Sequence, residues 1–185
     1  GDFFKPEVEG AEGIVRLYKC ALDAVHLHGP TNLSPVIDIA NQMARPYLEP
    51  DAEHCFYVML IATDGDISEQ DKPTFLDSLA DAGDLPVTFV VVGIGNSDFS
   101  YFKELRGKVH ELRRRRGAPE VKRDIVKFVP FPLSNSGIKL TAQTAKTMAD
   151  IPKEVMCFYD DTGRAPPKLE QFEESGRLKP PPDDP

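Results

Sequence analysis

The sequence predicts an α/β fold with a mainly parallel, doubly wound sheet, and three observations carry that prediction. Phe56-Tyr57-Val58-Met59-Leu60-Ile61-Ala62 and Val87-Thr88-Phe89-Val90-Val91-Val92 are short, nearly continuous apolar runs. Such runs are the mark of strands buried on both faces, as in a parallel sheet. A third run, Ile125-Val126-Lys127-Phe128-Val129, has the same length class. Segments with apolar residues at helical spacing separate them, and alternation of strand and helix builds parallel sheets with helical crossovers.

The elements follow in order. Residues 1–9 read as irregular. Ile14, Leu17, Tyr18, Ala21, Leu22 and Val25 recur at helical spacing. A short segment, Val25 to His28, then leads into the turn Gly29-Pro30-Thr31-Asn32. Pro35 suits the first turn of a helix, where its missing N–H has no partner to lose. Val36, Ile37, Ala40, Met43, Ala44 and Tyr47 give that helix its apolar face, and Pro46 or Pro50 ends it. After the strand 56–62, Ser68 and Asp71 form a capping-box pair ahead of Phe75, Leu76, Leu79 and Ala80. Gly93-Ile94-Gly95-Asn96 turns out of the second strand, with Asn96 or Ser97 as the cap of another helix. Residues 107–123 break the alternation: they hold Arg113-Arg114-Arg115-Arg116 and little apolar content, and read as a solvated insertion. Residues 138–160 read as one or two helices with Pro152 at a break or restart. From Gly163 the composition turns to proline and charge, ending Pro180-Pro181-Pro182-Asp183-Asp184-Pro185. The division is therefore a domain over 1–162 and an extended or disordered tail over 163–185.

Composition bounds the function. The 185 residues carry 41% hydrophobic and 28% charged side chains, enough for one domain with a real core. The formal net charge of −8 disfavours non-specific binding to nucleic acid, itself a polyanion. No apolar run approaches the roughly 18 residues needed to span a bilayer. Cys20, Cys55 and Cys157 are odd in number, widely spaced and flanked by apolar residues. They read as reduced core cysteines, which fits a reducing, intracellular compartment, the cytoplasm first. The chain opens on Gly1 rather than Met, so a segment ahead of it is expected to have been removed or left out; a targeting segment there would make an organelle compatible.

Catalytic chemistry is missing from the motifs. There is no serine nucleophile elbow, no P-loop, and Gly93-Ile94-Gly95 stops short of a dinucleotide fingerprint. His26 and His28 would share a face of a strand but have no third ligand beside them. The basic run Arg113, Arg114, Arg115 and Arg116 is the one cationic cluster. Without stacking aromatics it points to an acidic protein surface rather than to RNA, unless it is simply solvated.

Two further motifs lie where an α/β sheet binds ligands, at the carboxyl ends of strands. Thr31 stands in the turn before a helix, and Thr63-Asp64-Gly65 follows the first strand. From the residues alone Thr31 is a helix cap and Asp64 a turn carboxylate. Their sequence context is more specific. Leu27-His28-Gly29-Pro30-Thr31-Asn32-Leu33-Ser34-Pro35, then Tyr57 to Gly65, Leu85 to Gly95, Arg123-Asp124-Ile125-Val126-Lys127-Phe128-Val129-Pro130-Phe131, and Ile151-Pro152-Lys153-Glu154-Val155 keep their order over roughly residues 10–160. In these stretches the chain resembles the copine family and its von Willebrand factor A-type domain.

That resemblance implies a von Willebrand A, Rossmann-like fold, and a protein-recruiting role. It also implies a magnesium site in which Thr31 and Asp64 match the second and third ligand loops. The first ligand loop of the family, Asp-x-Ser-x-Ser, is not in this sequence. The fold is thus expected to be incomplete at its N-terminal side. No cofactor is expected for this chain alone, and magnesium only if the missing loop is supplied from outside. Asp66-Ile67-Ser68 and Asp98-Phe99-Ser100 have similar letters at the wrong strands and read as turns with helix caps. Copines carry two lipid-binding C2 domains ahead of the A domain; neither is in this sequence, so direct membrane binding is not expected. Plant RING-type ubiquitin ligases with a copine-like domain are related, but no RING cysteines occur here. The expected function is a non-enzymatic interaction or scaffold module, an accessory subunit of a larger assembly with protein partners. The alternative is the A-domain part of a conventional copine, whose calcium-dependent lipid binding and magnesium-dependent partner binding are completed by regions upstream of Gly1.

Overall fold

The structure of the chain is a computed structural model that describes residues 7–26, 29–49, 51–131 and 142–164. Most of the tail predicted over 163–185, and His28, lie outside the described residues. The chain divides into two compact units, residues 1–30 and 31–185.

The first unit is built on helix α1, Gly10–Ala24. Its apolar residues Ile14, Tyr18 and Leu22, with Val25 just beyond, fall at helical spacing and are exposed.

The second unit holds the sheet. Helix α2, Ser34–Ala44, has Pro35 in its first turn, and Asn32 Oδ1 accepts a hydrogen bond from the Ser34 N–H at 3.0 Å. The N-cap position is Leu33, and Asn32 rather than Thr31 supplies the oxygen that meets the first N–H of this helix. The side chains Ile37, Ala40, Asn41 and Ala44 point inward at intervals of three and four. A 3-10 turn, Arg45–Leu48, leads on towards strand β1, Tyr57–Thr63. Helix α3, Lys72–Asp81, follows; ahead of it Ser68 Oγ donates to Asp71 Oδ2 and accepts from the Asp71 N–H, the pairing expected from the sequence. Strand β2 spans Val87–Ile94, helix α4 Ser100–Arg115, strand β3 Val126–Phe131 and helix α5 Ala142–Thr162.

The three strands are parallel, in the order β1-β2-β3, with Tyr57 opposite Val87 and Phe89 opposite Val126. The fold is thus the α/β class with a parallel sheet that the apolar runs predict. On one face Met59, Ile61, Phe89, Val91, Val126 and Phe128 meet α2, α3 and α4 through Ile37, Phe75, Leu79, Phe102 and Leu105. On the other face α5 lies against β3. Its Phe158 meets Phe56 edge-on at 5.7 Å.

Several expectations are corrected. Residues 107–115 are not an insertion but the body of α4, whose core face is Phe102, Leu105, Val109 and Arg113. The buried position that should close the stripe holds an arginine, which hid the helical period. Residues 142–162 form one helix with Pro152 inside it; the ring removes one backbone bond without ending the helix. Cys20 is exposed and Cys55 and Cys157 are half-buried, all with free thiols, so they are not core cysteines. Phe56–Ala62 is not buried on both faces: Val58 and Leu60 are exposed, and among the described residues β1 is an edge strand.

Candidate functional site

The carboxyl ends of β1 and β2 form one rim. Thr63 ends β1 buried, its hydroxyl donating to the Gly65 carbonyl at 2.9 Å, which turns Asp64 outward. The loop after β2 reaches across: Ser97 Oγ donates to the Asp64 backbone carbonyl at 2.7 Å. Gly95 takes φ +98°, a left-handed conformation that favours glycine, so the chain can leave β2 and enter α4. Asp98 Oδ1 accepts from the Ser100 N–H at 2.9 Å, and this hydrogen bond holds its carboxyl below the usual range. The oxygen that meets the first N–H of α4 thus comes from Asp98, one residue ahead of Phe99 at the N-cap position, rather than from Asn96 or Ser97.

Behind the rim Lys72 pairs with Asp66 at 3.2 Å and with Glu69, and its ammonium stands 4.7 Å over the Tyr101 ring. The Tyr101 hydroxyl donates to the Lys72 carbonyl at 3.2 Å. At Gly93, on β2, a Cβ would stand 2.9 Å from the Phe128 ring and 3.0 Å from that of Phe99, so the two rings close over the glycine.

Thr31 is half-buried, three residues ahead of α2, and Asp64 is exposed at the rim. Among the described residues neither side chain makes a hydrogen bond to the other, and no three carboxylate, imidazole or thiol groups are close enough to hold a metal ion. One hydroxyl and one carboxylate do not meet the six-oxygen preference of magnesium. Among the described residues, Thr31 and Asp64 by themselves do not make a magnesium cage.

The arginine run separates into four environments. Arg113 is buried, donating through Nη1 to the Ala80 carbonyl at 2.6 Å and through Nη2 to Asp84 at 2.7 Å and the Pro119 carbonyl at 3.1 Å. Arg115 pairs with Glu111 one turn back. Arg116 bridges Asp77 and Asp81 of α3, at 2.5 and 2.7 Å. Arg114 is exposed and makes no ion pair among the described residues. The side chains that fall on α3 and its following turn serve packing, since two guanidinium forks hold α3 to α4. Arg123 does the same deeper in: its guanidinium donates to the carbonyls of Val87, Gly83 and Leu85, and burial lowers its pKa to about 10.

The other notable surface is the outer edge of β1. The Tyr57 N–H donates to the Pro86 carbonyl at 2.8 Å, so residues 57, 59, 61 and 63 direct their backbone groups to β2. By alternation Val58, Leu60 and Ala62 direct theirs away from the sheet, where no strand pairs with them among the described residues. The opposite edge differs. The N–H groups of Phe89 and Gly95 donate to the carbonyls of Ile125 and Phe131, so Val126, Phe128 and Pro130 face outward on β3. Pro130 has no N–H to offer, a common way of blunting an edge. Strand β1 holds no Pro, Gly or charged residue at all.

Sequence reasoning missed Lys72 and Tyr101 at the rim and the bare face of β1. The helical spacing of Phe102, Leu105 and Val109 could have placed Tyr101; nothing local in Val58 or Leu60 marks an edge. No helix among the described residues is long and apolar enough to cross a membrane.

A model of the family described as Copine matches residues 2–166. The A-type domain of that family is a protein-interaction module rather than a classical enzyme, and a parallel α/β sheet flanked by helices is consistent with it. By its sequence and its fold, this chain belongs to the copine family.

Proposed function

We propose that the chain is a non-enzymatic docking module that joins a larger protein assembly through the outer edge of β1. One observation carries this reading: Val58 and Leu60 are exposed, on a strand whose outward N–H and C=O groups have no strand beside them among the described residues. An unguarded apolar edge is a template for another strand, and addition of a strand combines main-chain hydrogen bonds with side-chain pockets. Leu60 would contribute apolar burial, while Val58, Leu60 and Ala62 would supply the ladder.

Thr31 and Asp64 enter this reading as ligands that a neighbouring polypeptide completes, and Arg114 as the arginine of the run with a side chain to spare for a partner. Family membership favours a second reading, in which the same surfaces belong to the A-domain part of a conventional copine.

The test is the size of the native complex in extracts of cells producing the protein, by gel filtration. The wild type is expected in a fraction well above its own mass, and Leu60→Lys in a smaller one, with unchanged thermal melting of the purified chain. A wild type that elutes at its own mass, or a Leu60→Lys protein that stays in the large fraction, overturns the reading.

A further inference from the structure

A groove of about 710 Å³ lies on the far side of the second unit, between α4, β3 and α5. Its floor is apolar, made by Phe102, Val126, Phe128 and Pro130. Its walls are charged. Lys103 and Arg106 come from α4, Lys127 from β3, and Lys146, Thr147 and Asp150 from α5.

The charges are not balanced within the groove. Asp124 is held by Arg106 Nε at 2.5 Å and by Lys127 at 3.5 Å. Lys127 is itself bound to Glu154 at 2.6 Å, and Asp150 to Lys153 at 2.8 Å. Every carboxylate lining the groove is therefore already paired. Lys103 and Lys146 are exposed on opposite walls and make no ion pair among the described residues. Arg106 uses Nε on Asp124, and its two terminal nitrogens have no partner among the described residues. In a chain of net charge −8, this is a local concentration of unpaired cations around an apolar floor.

We infer that this groove docks an acidic linear segment of a protein partner, with an apolar side chain seated over Phe128 and Pro130 and flanking carboxylates on Lys103 and Lys146. The local excess of cations complements an acidic peptide, against a chain whose net charge is −8. Two walls set around an apolar floor suit a chain of residues better than a flat lipid surface, which could not reach between α4 and α5. This surface is separate from the β1 edge, and its test does not depend on that reading.

The test uses a fluorescein-labelled peptide, Gly-Glu-Glu-Phe-Glu-Glu-Gly, and the full chain at low ionic strength. Binding is expected by fluorescence anisotropy, with amide shifts in the NMR spectrum confined to residues 102–106, 126–130 and 146–150. The double variant Lys103→Glu/Lys146→Glu is expected to weaken it about tenfold, the size of two exposed charge pairs reversed together. Should that variant melt early, Lys103→Gln/Lys146→Gln replaces it, with a smaller loss in the same direction. Absence of binding, amide shifts elsewhere, or an affinity unchanged by both variants overturns the inference. So does displacement of the peptide by inorganic phosphate at the same concentration, or by vesicles of anionic phospholipid, either of which would mark a general anion or lipid surface.

Discussion

Leu60 and Val90 stand side by side on neighbouring strands, in register and on the same face of the sheet, yet Leu60 is 62% exposed and Val90 1%. The boundary of the covered face falls between them. Helix α5 lies against β3 and not over the outer strand, so burial ends at β2. Lysine at Leu60 is expected to leave stability within about 0.5 kcal/mol of wild type, because the charge stays in water. Lysine at Val90 is expected to cost about 3–5 kcal/mol or to prevent folding, since it buries a cation with no partner. Urea denaturation of the two variants measures the contrast; equal losses would show that the outer face of β1 is covered.

That pair also shows what the sequence could and could not reveal. The strands, their parallel sense and the rim after Thr63 and Ile94 were legible, because apolar runs and turn residues are local signals. The exposure of Leu60 was not, because Tyr57–Thr63 is as apolar as the buried β2, and burial depends on what lies beside a strand. The arginine run misled for a related reason. Arg113 occupies the inward position of α4 after Phe102, Leu105 and Val109, and a charged residue at that position breaks an apolar period while completing the packing. Thr31 and Asp64 stood out through their motif context alone, and among the described residues no further ligand joins them.

Arg113 and Gly83 are matched to each other. A Cβ at Gly83 would stand 2.2 Å from Nη1 of Arg113. The guanidinium cannot simply swing aside, because three acceptors hold it: Ala80, Asp84 and Pro119. Arg113→Ala is expected to cost about 3 kcal/mol, leaving two carbonyls without their donor, whereas Arg114→Ala changes stability by less than about 0.5 kcal/mol. Arg113→Lys retains the charge but not the fork, and recovers only part of the loss. Gly83→Ala destabilises on its own. Combined with Arg113→Ala it should add less than the sum, since the clash has been removed. Denaturation midpoints of the set decide this; strict additivity would break the link between the two positions.

The three thiols differ in access. Burial pushes the thiols of Cys55 and Cys157 up, and the Asp161 carboxylate beside Cys157 adds to the effect. Cys20 lies exposed on α1. Since the thiolate is the reacting form, Cys20 is expected to be alkylated about an order of magnitude faster than the other two near neutral pH. Peptide mapping after timed iodoacetamide treatment gives the order directly, and in urea the three rates should converge. Equal rates in the folded protein would contradict the placement of Cys55 and Cys157.

The cap of α4 makes a pH-dependent contribution whose sign can be worked out. The Ser100 backbone N–H, and then its side chain, hold the Asp98 carboxyl below its usual range. A carboxylate whose folded pKa is depressed stabilises the fold above its unfolded pKa, near 3.9, and loses that contribution as pH falls through the lower folded value. Asp98→Ala removes the acceptor at every pH. The variant should therefore melt below the wild type at neutral pH, and the two melting temperatures should approach each other as the solution is acidified below about pH 4. Asp98→Asn keeps an acceptor oxygen for the Ser100 N–H without the charge, so it should fall between them at neutral pH and show less acid dependence. Thermal melts of the three proteins across this range measure the effect. A gap between wild type and Asp98→Ala that widened on acidification would have the wrong sign for a carboxylate capping α4.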